Sequence, residues 1–158
     1  MAKGPQVGEP APDFELPGTA GPFKLSDHKG ERVVLLFYPG DNTPVCTKQF
    51  CSYRDRPEDM AVLDAVVVGI SHQDLASHEE FSAKHNLNVP LLADTDKAVA
   101  KLYGVAAPVL GTRRAALVID EEGIVRHRHV HMLGVDFQDA EDLQRALAAL
   151  PPKAPAQA

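Results

Sequence analysis

The chain of 158 residues contains two cysteines, Cys46 and Cys51, and their neighbours determine what chemistry they can perform. Two thiols at this spacing can be redox partners or metal ligands, or they can be ordinary buried side chains, since free cysteine is often buried. Thr43 and Pro44 precede Cys46, and both residue types favour the start of a helix. The pattern predicts Cys46 in the first turn of a helix, where unpaired backbone N–H groups and the helix dipole favour a nucleophilic thiolate.

Cys51 lies within the same predicted helix, which we expect to end near Arg56, before Pro57. In an intact α-helix, residues i and i+5 differ by about 7.5 Å in rise and about 140° in rotation, so their Cα atoms are roughly 8 to 9 Å apart. A disulfide requires a Cα separation of about 7 Å or less. The two thiols can therefore bond only if the helix partly unwinds, and otherwise Cys51 is a buried side chain.

The elements that would position these cysteines follow from apolar runs and turn residues. Short strands and loops are expected in the first 30 residues, which are rich in proline and glycine. Longer strands are predicted at 33–38, 65–70, 115–119 and 124–130, with a short extended piece at 90–93. Helices are predicted at 44–56, at 77–85 from a capping box at Ser77, at 94–103, and after Asp139. Strands that alternate with helices and then finish in a hairpin predict an α/β fold with a central mixed β-sheet flanked by helices.

Length and composition are typical of a single domain over residues 1–150, followed by a tail at 151–158 that is rich in proline and alanine and expected to be disordered. The net charge of −6, with both signs scattered, argues against nucleic acid or an anionic membrane as a partner. No apolar run approaches the roughly 18 to 20 residues that span a bilayer, and the N-terminus lacks the apolar segment of a signal peptide. We therefore expect a cytoplasmic protein, in which a structural disulfide would be unusual.

Other residues with possible chemistry are a run of histidines and a loop aspartate. His127, His129 and His131 share one face of a predicted strand and could bind a metal, although a solvated hairpin face is the commoner outcome of such a pattern. Asp41 lies near Cys46 and could tune its electric field, but a polar loop residue usually has no such role. The remaining histidines near the strands are expected on or near helix surfaces without a role: His72, His78 and His85.

The spacing Pro39-x-x-x-Thr43-x-x-Cys46 resembles the active-site signature of the peroxiredoxins, and Cys51 resembles the second cysteine of the bacterioferritin comigratory protein, or Q-type, subfamily. Arg114 matches the family's active-site arginine, because its distance from Asp120 fits the family pattern better than that of Arg113. The resemblance covers nearly the whole chain, with matching segments in the expected order at 8–14, 24–27, 69–71, 77–81, 84–87 and 90–94. The chain departs from the family pattern at Val45, where many relatives have glycine, and in the loop at 40–42.

The resemblance implies a thioredoxin-like fold and a thiol peroxidase that needs no metal or organic cofactor. Cys46 would reduce hydrogen peroxide or an organic hydroperoxide and become a sulfenic acid, which Cys51 would condense into an intrachain disulfide. Thioredoxin or a similar dithiol protein would reduce this disulfide, and a monomer would suffice. Pro39 and Thr43 would shape the substrate loop, and Arg114 would hold the thiolate and the charge that develops during the reaction.

Two other functions compete with the peroxidase. A dithiol–disulfide carrier is disfavoured, because it would use a C-x-x-C pair and would not need Thr43 or Arg114. A non-enzymatic zinc or holdase protein would need Cys46 and Cys51 to converge with two histidines of the distant hairpin. Peroxide consumption separates the peroxidase from both alternatives, and metal analysis identifies the zinc protein.

Overall fold

The computed structural model describes residues 4–41, 43–107, 111–131 and 137–150. Its strands are β1 (Glu15–Leu16), β2 (Phe23–Lys24), β3 (Val33–Phe37), β4 (Val66–Ser71), β5 (Leu91–Ala93), β6 (Ala106–Ala107), β7 (Gly111–Thr112), β8 (Ala115–Ile119) and β9 (Val125–Val130). Its α-helices are α1 (Pro44–Asp55), α2 (Pro57–Ala61), α3 (Leu75–His85), α4 (Ala98–Leu102) and α5 (Ala140–Ala148), and a 3-10 helix covers Leu25–His28. The tail predicted at 151–158 lies outside the described residues.

The main sheet has the strand order β5-β4-β3-β8-β9. The strands β3, β4 and β5 run parallel, β8 lies antiparallel beside β3, and β9 forms a hairpin with β8. The pairs β1–β2 and β6–β7 are small separate sheets. This arrangement confirms the predicted α/β fold with a mixed central sheet, and it places the carboxyl ends of the parallel strands along one edge.

Both faces of the sheet are buried, because successive side chains of a strand point to opposite sides. In β3, Val33 and Leu35 belong to one apolar cluster, while Val34 and Leu36 belong to a second cluster on the other face. The second cluster also contains Cys46. Packing of α1 on this face therefore draws the thiol of its first turn into the protein interior.

The helix that carries the cysteines matches its prediction, whereas the start of α3 does not. The predicted capping box at Ser77 is absent as a helix start, since α3 begins at Leu75 with Asp74 as its N-cap. The Asp74 side chain accepts a hydrogen bond from the Ser77 backbone N–H at 2.8 Å. The earlier start places His78 inside the helix on its buried face, and the prediction of a surface position for His78 is wrong.

The predicted helix at 94–103 is shorter in the structure, because the chain first turns through a left-handed residue. Lys97 has a φ of 60°, and α4 begins only at Ala98. The buried carboxylate of Asp94 accepts hydrogen bonds from the backbone N–H groups of Val99 and Ala100 at 3.1 and 2.9 Å. In the part of the chain that the structure describes, none of the helices has the length and apolar character needed to cross a bilayer.

Candidate active site

Helix α1 turns one apolar face toward the sheet, and Cys46 is part of that face. Its buried residues recur at helical spacing: Cys46, Gln49, Phe50 and Tyr53. Cys51 is only half-buried, and both cysteines are free thiols. Both lie within the continuous helix Pro44–Asp55, so the separation of roughly 8 to 9 Å expected between their Cα atoms holds here. The reduced protein is therefore built with its two thiols apart.

Arg114 lies immediately before β8, the strand that pairs with β3, and its side chain reaches Cys46 in the interior. Its Nη2 donates a hydrogen bond to Cys46 Sγ at 3.0 Å. The arginine is 3% exposed and the cysteine is fully buried. Because an arginine keeps its proton in proteins, a buried guanidinium needs acceptors, and a thiolate is a strong one. The structure thus brings together the two residues that the resemblance expected to be in contact.

The position of the guanidinium depends on Gln49, a residue that sequence reasoning missed. Gln49 Oε1 accepts from Arg114 Nη1, and Gln49 Nε2 donates to the Tyr53 hydroxyl at 3.0 Å. Burial raises the pKa of Tyr53, which keeps its hydroxyl protonated and able to donate to the Gln138 carbonyl. The available signal was the spacing: Gln49 is a polar residue one helical turn after Cys46, on the face that must be buried.

Thr43 occupies the N-cap position of α1, as predicted, but its side chain does not cap the helix. Its hydroxyl instead donates to the Gly40 carbonyl at 3.1 Å. The loop between β3 and α1 is therefore closed on itself, with Pro39 half-buried at its start. The Thr43 hydroxyl oxygen keeps lone pairs with which it can accept a hydrogen bond from a bound molecule.

The same loop is anchored by a buried carboxylate, Asp41. Its Oδ1 accepts from the Tyr38 hydroxyl, and its Oδ2 accepts from Ser77 Oγ and lies beside His78 Nδ1, each at 2.7 Å. The side chains of Asp41 and His78 are fully buried. Burial alone would raise the pKa of Asp41, but hydrogen bonds from His78, Tyr38 and Ser77 hold it below its ordinary value. Asp41 therefore ties the active-site loop to α3, a structural role that the sequence analysis did not predict.

His127, His129 and His131 do not form a metal centre, since among the residues that the structure describes no group of three His, Cys, Asp or Glu side chains is placed to hold an ion. His127 is half-buried, and burial lowers its pKa. The rings of His129 and His131 lie with centroids 4.3 Å apart, nearly perpendicular to each other. The expected solvated hairpin face is therefore correct for the exposed His129 but wrong for the buried His131.

Comparison with known proteins places the chain in a family. The sequence model of the AhpC/TSA family matches residues 7–128. Peroxiredoxin Bcp of Bacillus subtilis (strain 168) is 41% identical over 126 residues, which are 75% of this chain and 80% of that protein. A chloroplastic peroxiredoxin Q of Oryza sativa subsp. japonica is 44% identical over 123 residues, which are 76% of this chain and 57% of that protein. The crystal structure of peroxidoxin BcpB from Mycobacterium tuberculosis aligns with a TM-score of 0.82 at 32% identity, covering 94% of this chain and 99% of that one.

The Asp41 anchor makes a prediction about stability and pH. Asp41→Asn should lower the free energy of unfolding at neutral pH by about 2 to 4 kcal/mol, because an amide cannot accept from all the donors that face the carboxylate. Since the pKa of Asp41 in the folded state is below its ordinary value, the wild type keeps its full advantage above the unfolded carboxyl pKa of about 3.9. The advantage is lost as the pH falls through the folded-state pKa.

Chemical denaturation of wild type and variant across the acid range measures this difference. Asp96→Asn is the control, because Asp96 is an exposed carboxylate that accepts a bond from the Ala98 backbone N–H and lies away from the active-site loop. Equal unfolding free energies for wild type and Asp41→Asn at neutral pH would show that the loop is not anchored through this carboxylate.

Proposed function

This chain belongs to the AhpC/TSA family and is a peroxiredoxin, and from that premise we propose that Cys46 is the cysteine that reduces the peroxide. The observation that carries this assignment is the contact of 3.0 Å from Arg114 Nη2 to Cys46 Sγ at the first turn of α1. Cys51 has no such environment, because it lies later in the helix and off its buried face. The substrates proposed are hydrogen peroxide and organic hydroperoxides.

The reaction begins with attack of the Cys46 thiolate on one oxygen of the hydroperoxide. A sulfur–oxygen bond forms as the O–O bond breaks, and the leaving hydroxide or alkoxide takes a proton to become water or an alcohol. Sulfur is oxidised by two electrons to a sulfenic acid. The Arg114 guanidinium stays fixed while negative charge moves from sulfur to oxygen, so its donors can stabilise the transition state without reorganising.

The loop before α1 would receive the peroxide. The Thr43 hydroxyl, held by the Gly40 carbonyl, and the backbone N–H of Cys46 are proposed to orient the two oxygens, with Pro39 shaping the entrance. Full burial of Cys46 favours a small oxidant, since a folded protein disulfide could not reach the sulfur. The same burial, together with the separation of the two thiols, weighs against the alternative of a dithiol–disulfide carrier.

Cys51 is proposed to resolve the sulfenic acid. Its thiolate attacks Cys46 sulfur, the hydroxyl leaves as water after taking a proton, and an intrachain disulfide forms. Because the helix holds the Cα atoms roughly 8 to 9 Å apart, part of α1 has to unwind before the bond can close. Thioredoxin or a similar dithiol protein would then supply two electrons and two protons to restore both thiols.

We also propose that the protein works as a monomer in the cytosol. The intrachain cysteine pair allows the whole cycle within one chain, and a reducing compartment would keep both thiols free between cycles. The relatives are not confined to one compartment, since the rice relative is named as chloroplastic.

The roles of the cysteines predict different defects for their variants. Cys46→Ser should abolish peroxide reduction, because serine is not ionised at neutral pH. Cys51→Ser should keep the first turnover and fail in the following ones, because the sulfenic acid would have no partner. Peroxide consumption by each variant, followed through single and repeated turnovers with purified thioredoxin and its reductase, measures both effects. Normal turnover by Cys46→Ser would reverse the assignment.

Oxidation should produce a disulfide within one chain and local loss of helix over residues 45–52. Hydrogen exchange should show the amides of this segment less protected in the oxidised protein, because the hydrogen bonds of α1 cannot persist across the closed bond. The amides of α5 serve as an internal control, and peroxide-treated Cys51→Ser should keep α1 protected. A disulfide-linked dimer on a non-reducing gel, or unchanged exchange in α1, would contradict the proposed resolution step.

The transition-state role of Arg114 predicts a rate defect beyond any change in ionisation. Arg114→Ala should react with peroxide at least about tenfold more slowly, equivalent to about 1.4 kcal/mol, even at a pH where the thiol is fully ionised. Arg114→Lys should recover only part of the rate, because an ammonium lacks the planar fork that serves sulfur and Gln49 together. The second-order rate constant measured against pH is the test, with Arg113→Ala as the neighbouring control. A defect in Arg113→Ala alone would identify the other arginine as the functional one.

A further inference from the structure

The two residues that follow β4, His72 and Gln73, lie between the two halves of the site. Gln73 faces the active-site loop: its Oε1 accepts the backbone N–H of Asp41. The same oxygen would lie 3.1 Å from a Cβ atom at Gly40. Gln73 therefore packs directly on the loop that leads to Thr43, and its neighbour His72 starts from a backbone that is fixed relative to that loop.

His72 contacts the other half of the site. Its imidazole lies on the backbone of Gly111, where an added Cβ atom would come within 2.5 Å of His72 Cε1. Gly111 also has a φ of 80°, which side-chain-bearing residues rarely adopt. The next residue, Thr112, is fully buried, and its Oγ1 lies 3.3 Å from His72 Nδ1. The glycine is required at this position, because only glycine lets the ring approach so closely.

The residues that His72 contacts lead directly to Arg114. Thr112 pairs with Ala106 in the small β6–β7 sheet, and the Arg113 backbone N–H donates to the Val105 carbonyl at 2.7 Å. Arg114 follows without an intervening loop, so displacement of Thr112 shifts the start of the arginine side chain. The strength of the hydrogen bond of 3.0 Å to sulfur depends on the distance and the angle of its donor, and both change when the arginine side chain is shifted.

We propose that His72 is a positioning residue for Arg114. The imidazole acts as a spacer that keeps the segment 111–114 at a fixed distance from Gly40 and Asp41, which Gln73 contacts, and thereby aims the guanidinium at Cys46. The inference rests on the role of Arg114 in the proposed function. It goes beyond that role by naming a residue that acts on the site without a hydrogen bond to either Cys46 or Arg114 among the described residues.

The electrostatic surroundings of His72 suit a spacer. Burial, and then the nearby positive charge of Lys97, lower the pKa of His72, so the ring is neutral at neutral pH. A neutral imidazole can accept from the Thr112 hydroxyl or donate to it. It also adds no positive charge that would compete with Arg114 for the thiolate.

The test uses the Cys51→Ser background, in which Cys46 is the single thiol. His72→Ala should leave less Cys46 as thiolate at neutral pH, measured by ultraviolet absorbance. It should also lower the second-order rate with hydrogen peroxide at least about threefold, well short of the ~100-fold that a displacement of 1 Å can cost. His72→Phe keeps a ring on Gly111 and should recover part of both losses. Thr112→Val should weaken both in the same direction, and combining it with His72→Ala should add little, because the two changes break one contact.

His28→Ala is the matched control. His28 is a half-exposed histidine that pairs with Glu31 at 3.2 Å, near the start of β3 and away from the carboxyl edge. This variant should keep the wild-type thiolate fraction and rate even if its melting temperature falls. The inference is overturned if His72→Ala keeps both quantities at the level of its background, or if the effects of His72→Ala and Thr112→Val multiply as independent changes. Should His72→Ala fail to fold, His72→Phe and Thr112→Val decide the question. Failure of the wild type to reduce peroxide would instead reject the proposed function, and the thiolate measurement would still test His72.

Discussion

The buried hydrogen bond from Arg114 to Cys46 is the interaction on which the rest of the site depends. A permanent cation inside a protein costs free energy unless its donors meet acceptors. Here Cys46 Sγ and Gln49 Oε1 are the acceptors, and both belong to the inner face of α1. The pairing of β8 with β3 brings the arginine beneath this helix. The guanidinium thus has an acceptor on each of two side chains of one helix, and its position depends on how α1 packs on the sheet.

Two parts of the chain that are far apart in sequence hold the contact between Arg114 and Cys46 from opposite sides. The loop before α1 is tied to α3 by the buried carboxylate of Asp41. This carboxylate accepts a hydrogen bond from the Ser77 hydroxyl and contacts the imidazole of His78. The arginine is held by the strands β7 and β8. Helix α1 lies between these supports and contributes both the nucleophile and its partner Gln49. In the proposed cycle, α1 is also the element that has to change shape, whereas Arg114 stays fixed at the edge of the sheet.

The sequence was sufficient where local patterns decide the structure. The apolar run at 33–38 and the proline at the first position of α1 predicted the strand and the helix that carry Cys46. The resemblance predicted a thioredoxin-like peroxiredoxin, which the relatives and the likeness to BcpB confirm. The predicted start of α3 was wrong because Asp74 and Ser77 are both good capping residues, and the structure uses Asp74, whose side chain accepts from the Ser77 backbone N–H. The contact between Asp41 and His78 joins residues 37 positions apart, and no periodicity in a single sequence indicates such a pair.

The separation of the two cysteines in α1 also connects the folding of a helix to an electrochemical quantity. If the proposed disulfide forms, α1 is intact in the reduced protein and partly unwound in the oxidised protein. Interactions that stabilise α1 therefore favour the dithiol and make the disulfide a stronger oxidant. The reduction potential rises by about 30 mV for each 1.4 kcal/mol of added helix stability. Substitutions on the exposed face of α1, far from any reacting atom, would shift the reduction potential through helix propensity alone. The midpoint potential of such an enzyme is set in part by how readily a dozen residues form a helix.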